Sequence, residues 1–297
     1  METTMTTLTP QAASELFRAE PDRYLDMGPG RGEVAVRSIG SGPDVLFVHG
    51  WPVHGATFRR LLPHLVDHVT CHVIDLPGAG SSRYDGDTDL SIANHIASVR
   101  GSVESLDLDS VAVVGHDSGG MIARHAMTDD ARLRAMGLID TEPSSGVGWR
   151  FRSFIGARRL PGFGAALGWL AGQPRLRRNK FVLGDAFADR SQLDGEFDEF
   201  FLRRLHGDRA YRTAMVRLLR SFEMADVDRL AEIQTGITCP VRLVWGDQDR
   251  FFPIAAARSM LDDFAQADLV EIPGVGLFSH EEAPAQVAAA LLPVLTA

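Results

Sequence analysis

The chain reads as an α/β protein, a mostly parallel central sheet with a block of helices inserted into it. Three observations predict this. Short apolar runs at 45–48, 71–75, 111–114, 136–139, 241–245 and 267–272 alternate with helical patterns, as strands joined by crossover helices do. The strand pattern stops between about 142 and 236, where Phe151, Phe154, Trp169, Phe181, Phe197, Phe200, Phe201, Tyr211 and Leu218 recur at helical spacing. At 111–127 a strand, a tight glycine-bracketed turn and a helix follow one another without a break.

Taken in order, residues 1 to about 22 read as a polar arm with a short helix. Residues 24–37 alternate around Gly28, Gly30 and Gly32, as edge strands with a turn would. Residues 45–48 form a buried strand ending at His49-Gly-Trp-Pro52, and 56–66 read as helical. The strand at 71–75 closes on Leu-Pro-Gly-Ala-Gly-Ser81 and is followed by a helix over 89–105. After the strand–turn–helix comes a strand at 136–139, ending in Asp140-Thr-Glu-Pro143. Beyond the helical block, the strand at 241–245 closes on Gly-Asp-Gln-Asp-Arg-Phe-Phe-Pro253. A helix over 254–265, a last strand at 267–272 and a final helix from about 284 complete the chain. The expected division is a core over 1–141, a helical cap over 142–236 and the rest of the core over 237–297.

With 297 residues, 45% of them hydrophobic, the chain suits one α/β domain with an inserted subdomain. Its net charge of −9 argues against nucleic acid as a partner. Lys180 is the sole lysine, against 29 arginines. Residues 141–238 hold fifteen arginines and that lysine against seven aspartates and five glutamates; this reads as a solvated basic helix face, with an acidic substrate as the alternative. Cys71 and Cys239 are too few and too far apart for a disulfide framework or a zinc site. No apolar run reaches about 18 residues, so no membrane span or membrane partner is expected. There is no signal-peptide pattern, and the expected location is the cytoplasm. A small-molecule substrate is the expected partner, with no metal and no cofactor. The sequence leaves the oligomeric state open.

Residues 111–120 read Val-Ala-Val-Val-Gly-His-Asp-Ser-Gly-Gly. A strand, a strained turn and a helix push the central side chain out at the strand's carboxyl end, the geometry of a nucleophile elbow. Gly115 and Gly119 bracket Asp117, whose carboxylate can attack carbon and form an ester. Placing Ser118 at the centre would put His116 where a small residue is needed. The plainer reading of Asp117 is a helix-capping residue in a glycine-rich turn.

The motifs His49-Gly-Trp-Pro52, the elbow at Asp117, Gly246-Asp-Gln-Asp-Arg-Phe-Phe-Pro253 and Pro273-Gly-Val-Gly-Leu-Phe-Ser-His-Glu-Glu-Ala-Pro284 stand in order along the chain. Together they resemble the α/β-hydrolase fold over essentially the whole length. Within it the chain resembles the aspartate-nucleophile branch of epoxide hydrolases, haloalkane dehalogenases and fluoroacetate dehalogenases. The resemblance implies Asp117 as nucleophile, the N–H groups of Trp51 and Ser118 as oxyanion hole, and Asp249 as the acid orienting a histidine. Asp140 is the alternative acid position, also counted with the substrate pocket. Tyr211, the cap's one tyrosine, is the candidate pocket donor.

The same resemblance places the catalytic histidine at Leu277, since family members read Gly-His-Phe where this chain has Gly276-Leu-Phe278. Leucine cannot accept a proton. His280, three residues on, reads as structural, with a substitute base as the alternative. His49 and His116 read as scaffold. The expected activity is therefore epoxide or carbon–halogen hydrolysis through an ester on Asp117, impaired in its hydrolytic half. A lyase or cyclase, or a small-molecule-binding relative without catalysis, is the alternative.

Overall fold

A computed structural model describes residues 8–297; the start of the expected polar arm, 1–7, lies outside the described residues. Eight strands form one sheet: β1 (Arg23–Asp26), β2 (Glu33–Gly40), β3 (Asp44–Val48), β4 (Thr70–Asp75), β5 (Val111–His116), β6 (Leu133–Ile139), β7 (Val241–Gly246) and β8 (Ala267–Ile272). Their order across the sheet is β1-β2-β4-β3-β5-β6-β7-β8. The pairs β1–β2 and β2–β4 are antiparallel and all others parallel. This is the expected α/β-hydrolase fold, a mostly parallel sheet with inserted helices.

Why the strands read as unbroken apolar runs is plain from their burial. Every residue of β5 is buried, because helices cover both faces of the sheet. The helices Ile92–Ser105, Ser118–Met127 and Pro284–Leu295 supply part of that cover. Edge strand β8 is only partly buried.

Among the described residues no strand lies between β6 and β7. The chain there runs through helices including Trp149–Ala157, Phe163–Ala171, Arg209–Ser221 and Leu230–Thr235. Their apolar faces join the same core as the sheet. The indole N–H of Trp51, in the loop after β3, donates to the carbonyl of Met215 at 3.0 Å and ties the insertion to the sheet.

Two helical expectations change. Residues 56–66 form two 3₁₀ turns, Gly55–Phe58 and Leu62–His64, in place of an α-helix. The N–H groups of Thr57, Arg59 and Leu65 reach back three residues, and Pro63 has no N–H to extend the ladder. The helix expected over 254–265 ends at Ser259, and a 3₁₀ turn, Leu261–Asp263, follows.

Candidate active site

Asp117 sits between β5 and the helix Ser118–Met127 with φ 50° and ψ −136°, a conformation that side-chain-bearing residues rarely adopt. The neighbourhood is built to hold it there. A Cβ on Gly50 would come within 2.5 Å of the Asp117 Cβ, and one on Gly119 within 2.3 Å of the Val48 carbonyl. The Asp117 carbonyl accepts from the Gly120 N–H at 2.8 Å and from the Thr141 hydroxyl at 2.8 Å.

The two N–H groups expected to form an oxyanion hole converge on this carboxylate. The Trp51 N–H donates to Oδ2 at 2.9 Å, and the Ser118 N–H donates to the same carboxylate. Despite these donors, burial pushes the Asp117 carboxyl up to about 6.

A cavity opens above Asp117. Its wall is apolar, including Phe151, Phe154, Leu218, Phe222, Leu277 and Phe278, and its polar side chains are Asp117, Ser118 and Glu142. The lining suits a small, largely hydrocarbon ligand fixed by a few polar groups.

Glu142 is the residue the sequence reading missed. It is 1% exposed and lies on the cavity wall. Its Oε2 is 3.0 Å from the Thr141 hydroxyl, and its Oε1 is buried with no partner among the described residues. Burial, then the neighbouring Asp117 charge, pushes its carboxyl up to about 8. Arg124 packs behind it, donating from Nη2 to the Thr141 hydroxyl and the Glu142 carbonyl. The signal was in Asp140-Thr-Glu-Pro143 at a strand's carboxyl end. Asp140 turns there with φ 39°, and Glu142, not Asp140, reaches the cavity wall.

Asp249 is buried in the loop after β7. Its Oδ1 accepts from the N–H groups of Phe251 and Phe252 at 2.7 and 3.0 Å, while Oδ2 has no partner among the described residues. Burial pushes its carboxyl up to about 8, and the charge of Asp117 adds to this. Asp140 does not line the cavity. It accepts from the Gly246 N–H at 2.7 Å and bonds the Ser279 side chain, latching β6 to β7 and to the loop after β8. Tyr211 also falls outside the cavity wall; it is fully buried, with the Arg204 guanidinium 4.2 Å from its ring centroid.

The expected loss of the histidine is overturned. The short helix Ser279–Glu282 after β8 carries an intact and engaged one, His280, and it is His280 rather than Leu277 that answers to the family's histidine. Its Nε2 is 2.8 Å from the Thr57 hydroxyl, and its ring centroid is 4.3 Å from that of His116. Burial holds it well below the usual histidine range, so it is a neutral imidazole with Nδ1 unpaired among the described residues. Leu277 contributes its side chain to the cavity wall and its carbonyl to His116 Nε2 at 3.0 Å. An impaired hydrolytic step therefore has no basis in a missing histidine.

His49 is scaffold. The Leu76 N–H donates to its Nε2 at 3.0 Å, so the proton sits on Nδ1 and goes to the Gly50 carbonyl at 2.9 Å.

The model of a family described as the alpha/beta hydrolase family matches residues 45–290. A pimeloyl-[acyl-carrier protein] methyl ester esterase of Chromobacterium violaceum is 28% identical over 260 residues, covering 83% of this chain and 93% of that protein. Among solved structures, a haloalkane dehalogenase from Bradyrhizobium elkani superposes with a TM-score of 0.75 at 19% identity, covering 91% of this chain and 96% of that one. An epoxide hydrolase gives 0.73 at 20% identity, covering 93% and 96%. The likeness to these two structures is one of fold.

Proposed function

Because the chain belongs to the α/β hydrolase family, we propose that it hydrolyses a small, largely apolar organic substrate, with Asp117 as the nucleophile. The observation that carries this reading is the aspartate at the strained elbow, its Oδ2 held by the Trp51 N–H, its carboxylate also bonded by the Ser118 N–H, and its side chain on the wall of an apolar cavity.

In the first step, the free Asp117 oxygen attacks an electrophilic carbon and the bond from that carbon to the leaving atom breaks. In the second, water adds to the ester carbonyl, the bond from that carbonyl carbon to the substrate oxygen breaks, and the departing alkoxide takes up the water's second proton, leaving Asp117 a carboxylate. The oxygen that gains charge as water adds is Oδ2, which already faces the Trp51 N–H, and preorganised donors act most strongly where charge develops.

Two observations favour an epoxide over a carbon–halogen bond. The Trp51 indole N–H, one candidate halide donor, is committed to the Met215 carbonyl. Glu142, with its carboxyl raised, carries a proton at neutral pH and stands on the cavity wall, placed to protonate an opening epoxide oxygen. The carboxylate left behind then takes the proton of the attacking water, which restores the starting state. His280, a neutral imidazole in the short helix Ser279–Glu282, bonds Thr57 and does not line the cavity; it is the second candidate for that water-activating role.

The similarity to methyl ester esterases favours a second reading, ester hydrolysis in the same cavity. Single turnover in heavy-oxygen water separates the two. Displacement at carbon followed by ester hydrolysis puts the label into the Asp117 carboxylate, and Asp117→Asn abolishes turnover. Turnover of an ester substrate with no label in the peptide carrying Asp117 would replace the first reading with the second.

A further inference from the structure

Residues 143–184 contain seven arginines and one lysine and no aspartate or glutamate, in a chain of net charge −9. The large hydrophobic side chains that stand exposed among the described residues, Trp149, Leu160, Trp169, Leu176 and Phe181, all fall in this stretch. Its helix Phe163–Ala171 reads Phe-Gly-Ala-Ala-Leu-Gly-Trp-Leu-Ala, without one charged or polar side chain. Yet Ala165, Ala166 and Trp169 on it are exposed, and Leu167 and Leu170 are only partly covered. A helix facing water presents a polar face; this one has none to present.

Cations surround the apolar groups. The Arg150 guanidinium lies 5.4 Å from the Trp149 ring and 5.8 Å from the Phe181 ring, and Lys180 Nζ lies 5.1 Å from the Phe181 ring. Arg150 pairs with Asp185 and Arg178 with Asp194. Arg152, Arg175 and Lys180 are exposed and have no ion-pair partner among the described residues.

We propose that this face of the inserted helices docks on an anionic lipid surface, its aromatic and leucine side chains entering the headgroup region and its free cations meeting lipid phosphates. Exposed aromatic and leucine side chains beside Arg and Lys form the interfacial pattern that lipid headgroups accommodate. The charge is complementary in a directed sense, because a chain negative overall has turned this positive face outward. An acidic protein would answer the cations but would need a shaped apolar surface for an uncharged helix; a bilayer interface needs no such fit. Phe151, Phe154, Val182 and Leu183 of the same stretch wall the cavity, so docking would bring its rim to the boundary where apolar substrates collect. The expectation of no membrane partner came from the lack of a spanning run, and surface docking requires no span. This inference does not depend on the hydrolase reading.

The test is co-sedimentation of the full chain with vesicles of phosphatidylcholine alone and of phosphatidylcholine mixed with phosphatidylglycerol. Binding to the mixed vesicles, weakened by salt and accompanied by a blue shift of tryptophan emission, is expected. The double variant Arg175→Gln/Lys180→Gln should lose roughly tenfold or more in affinity. Trp169→Ser/Phe181→Ser should lose binding at low salt as well, with circular dichroism and the thermal midpoint unchanged in both variants. No binding to either vesicle at low salt, or binding that ignores lipid charge and both pairs of substitutions, overturns the proposal. Retention by an acidic protein without vesicle binding overturns it in favour of a protein partner.

Discussion

Asp117 and Glu142 share a cavity wall, and both prefer the proton more than an exposed carboxyl does. Burial is the leading cause in each, and the charge of Asp117 adds to it at Glu142. If Asp117 must be ionised to attack and Glu142 protonated to donate, the single-turnover rate rises with pH through about 6 and falls through about 8. Glu142→Gln should remove the alkaline limb and slow ring opening by about 10²–10⁴-fold. A variant that keeps the parent's alkaline limb and loses less than about tenfold would take Glu142 out of the reaction. If His280→Ala instead abolishes only the decay of the ester, the imidazole is the water-activating base. At this scale the sequence showed Asp117, because an elbow is a local pattern of small residues around one side chain. Glu142 was hidden, because which of two neighbouring acids enters the cavity depends on one backbone angle at Asp140. His280 was misjudged because motif register was trusted over three residues of loop.

The latch at Asp140 acts between elements. Its carboxyl, raised by burial first and the charge of Asp249 second, joins the end of β6 to the Gly246 N–H at the end of β7 and to Ser279 beyond β8. Asp140→Ala leaves those groups buried and unpaired, which costs about 2–4 kcal/mol. Asp140→Asn keeps the shape and an acceptor, and burial already disfavours the charge that it removes. It should therefore cost clearly less than alanine, as measured by urea denaturation. Equal losses for the two would show that Asp140 acts there as an ionised carboxylate. The strands were legible because residues buried on both faces leave unbroken apolar runs. The 3₁₀ turns at Gly55–Phe58 and Leu62–His64 were not, since burial of Phe58, Leu61 and Leu62 imitates helical periodicity without an i→i+4 ladder.

Over the whole molecule, alternation of strands and helices and the order of four motifs were enough to reach the fold. The way the carboxyl ends of β5, β6 and β7 gather Asp117, Glu142 and Asp249 around one point was not, because it depends on the register of strands far apart in sequence. That gathering has a thermodynamic signature. A carboxyl whose folded pKa lies above its unfolded value binds more protons in the native state. Its contribution to stability is full below the unfolded pKa and is lost as pH rises toward the folded one. For Glu142 the window runs from 4.5 to about 8. The buried histidines His49, His95, His116 and His280 have the opposite sign. Burial lowers their pKa values, so their contribution is lost as pH falls through the ordinary histidine range. The parent protein's own pH dependence therefore mixes the two, and a comparison with Glu142→Gln isolates the carboxyl, since glutamine mimics the protonated acid and leaves the histidines alone. At about pH 5 the two proteins should be close in stability. By about pH 8 the glutamine variant should lead by roughly 4 kcal/mol, as read from urea denaturation at each pH. A gap that stays constant between those two conditions would mean that Glu142 ionises in the folded state as easily as in water. The acid assigned to the cavity wall would then be a carboxylate throughout.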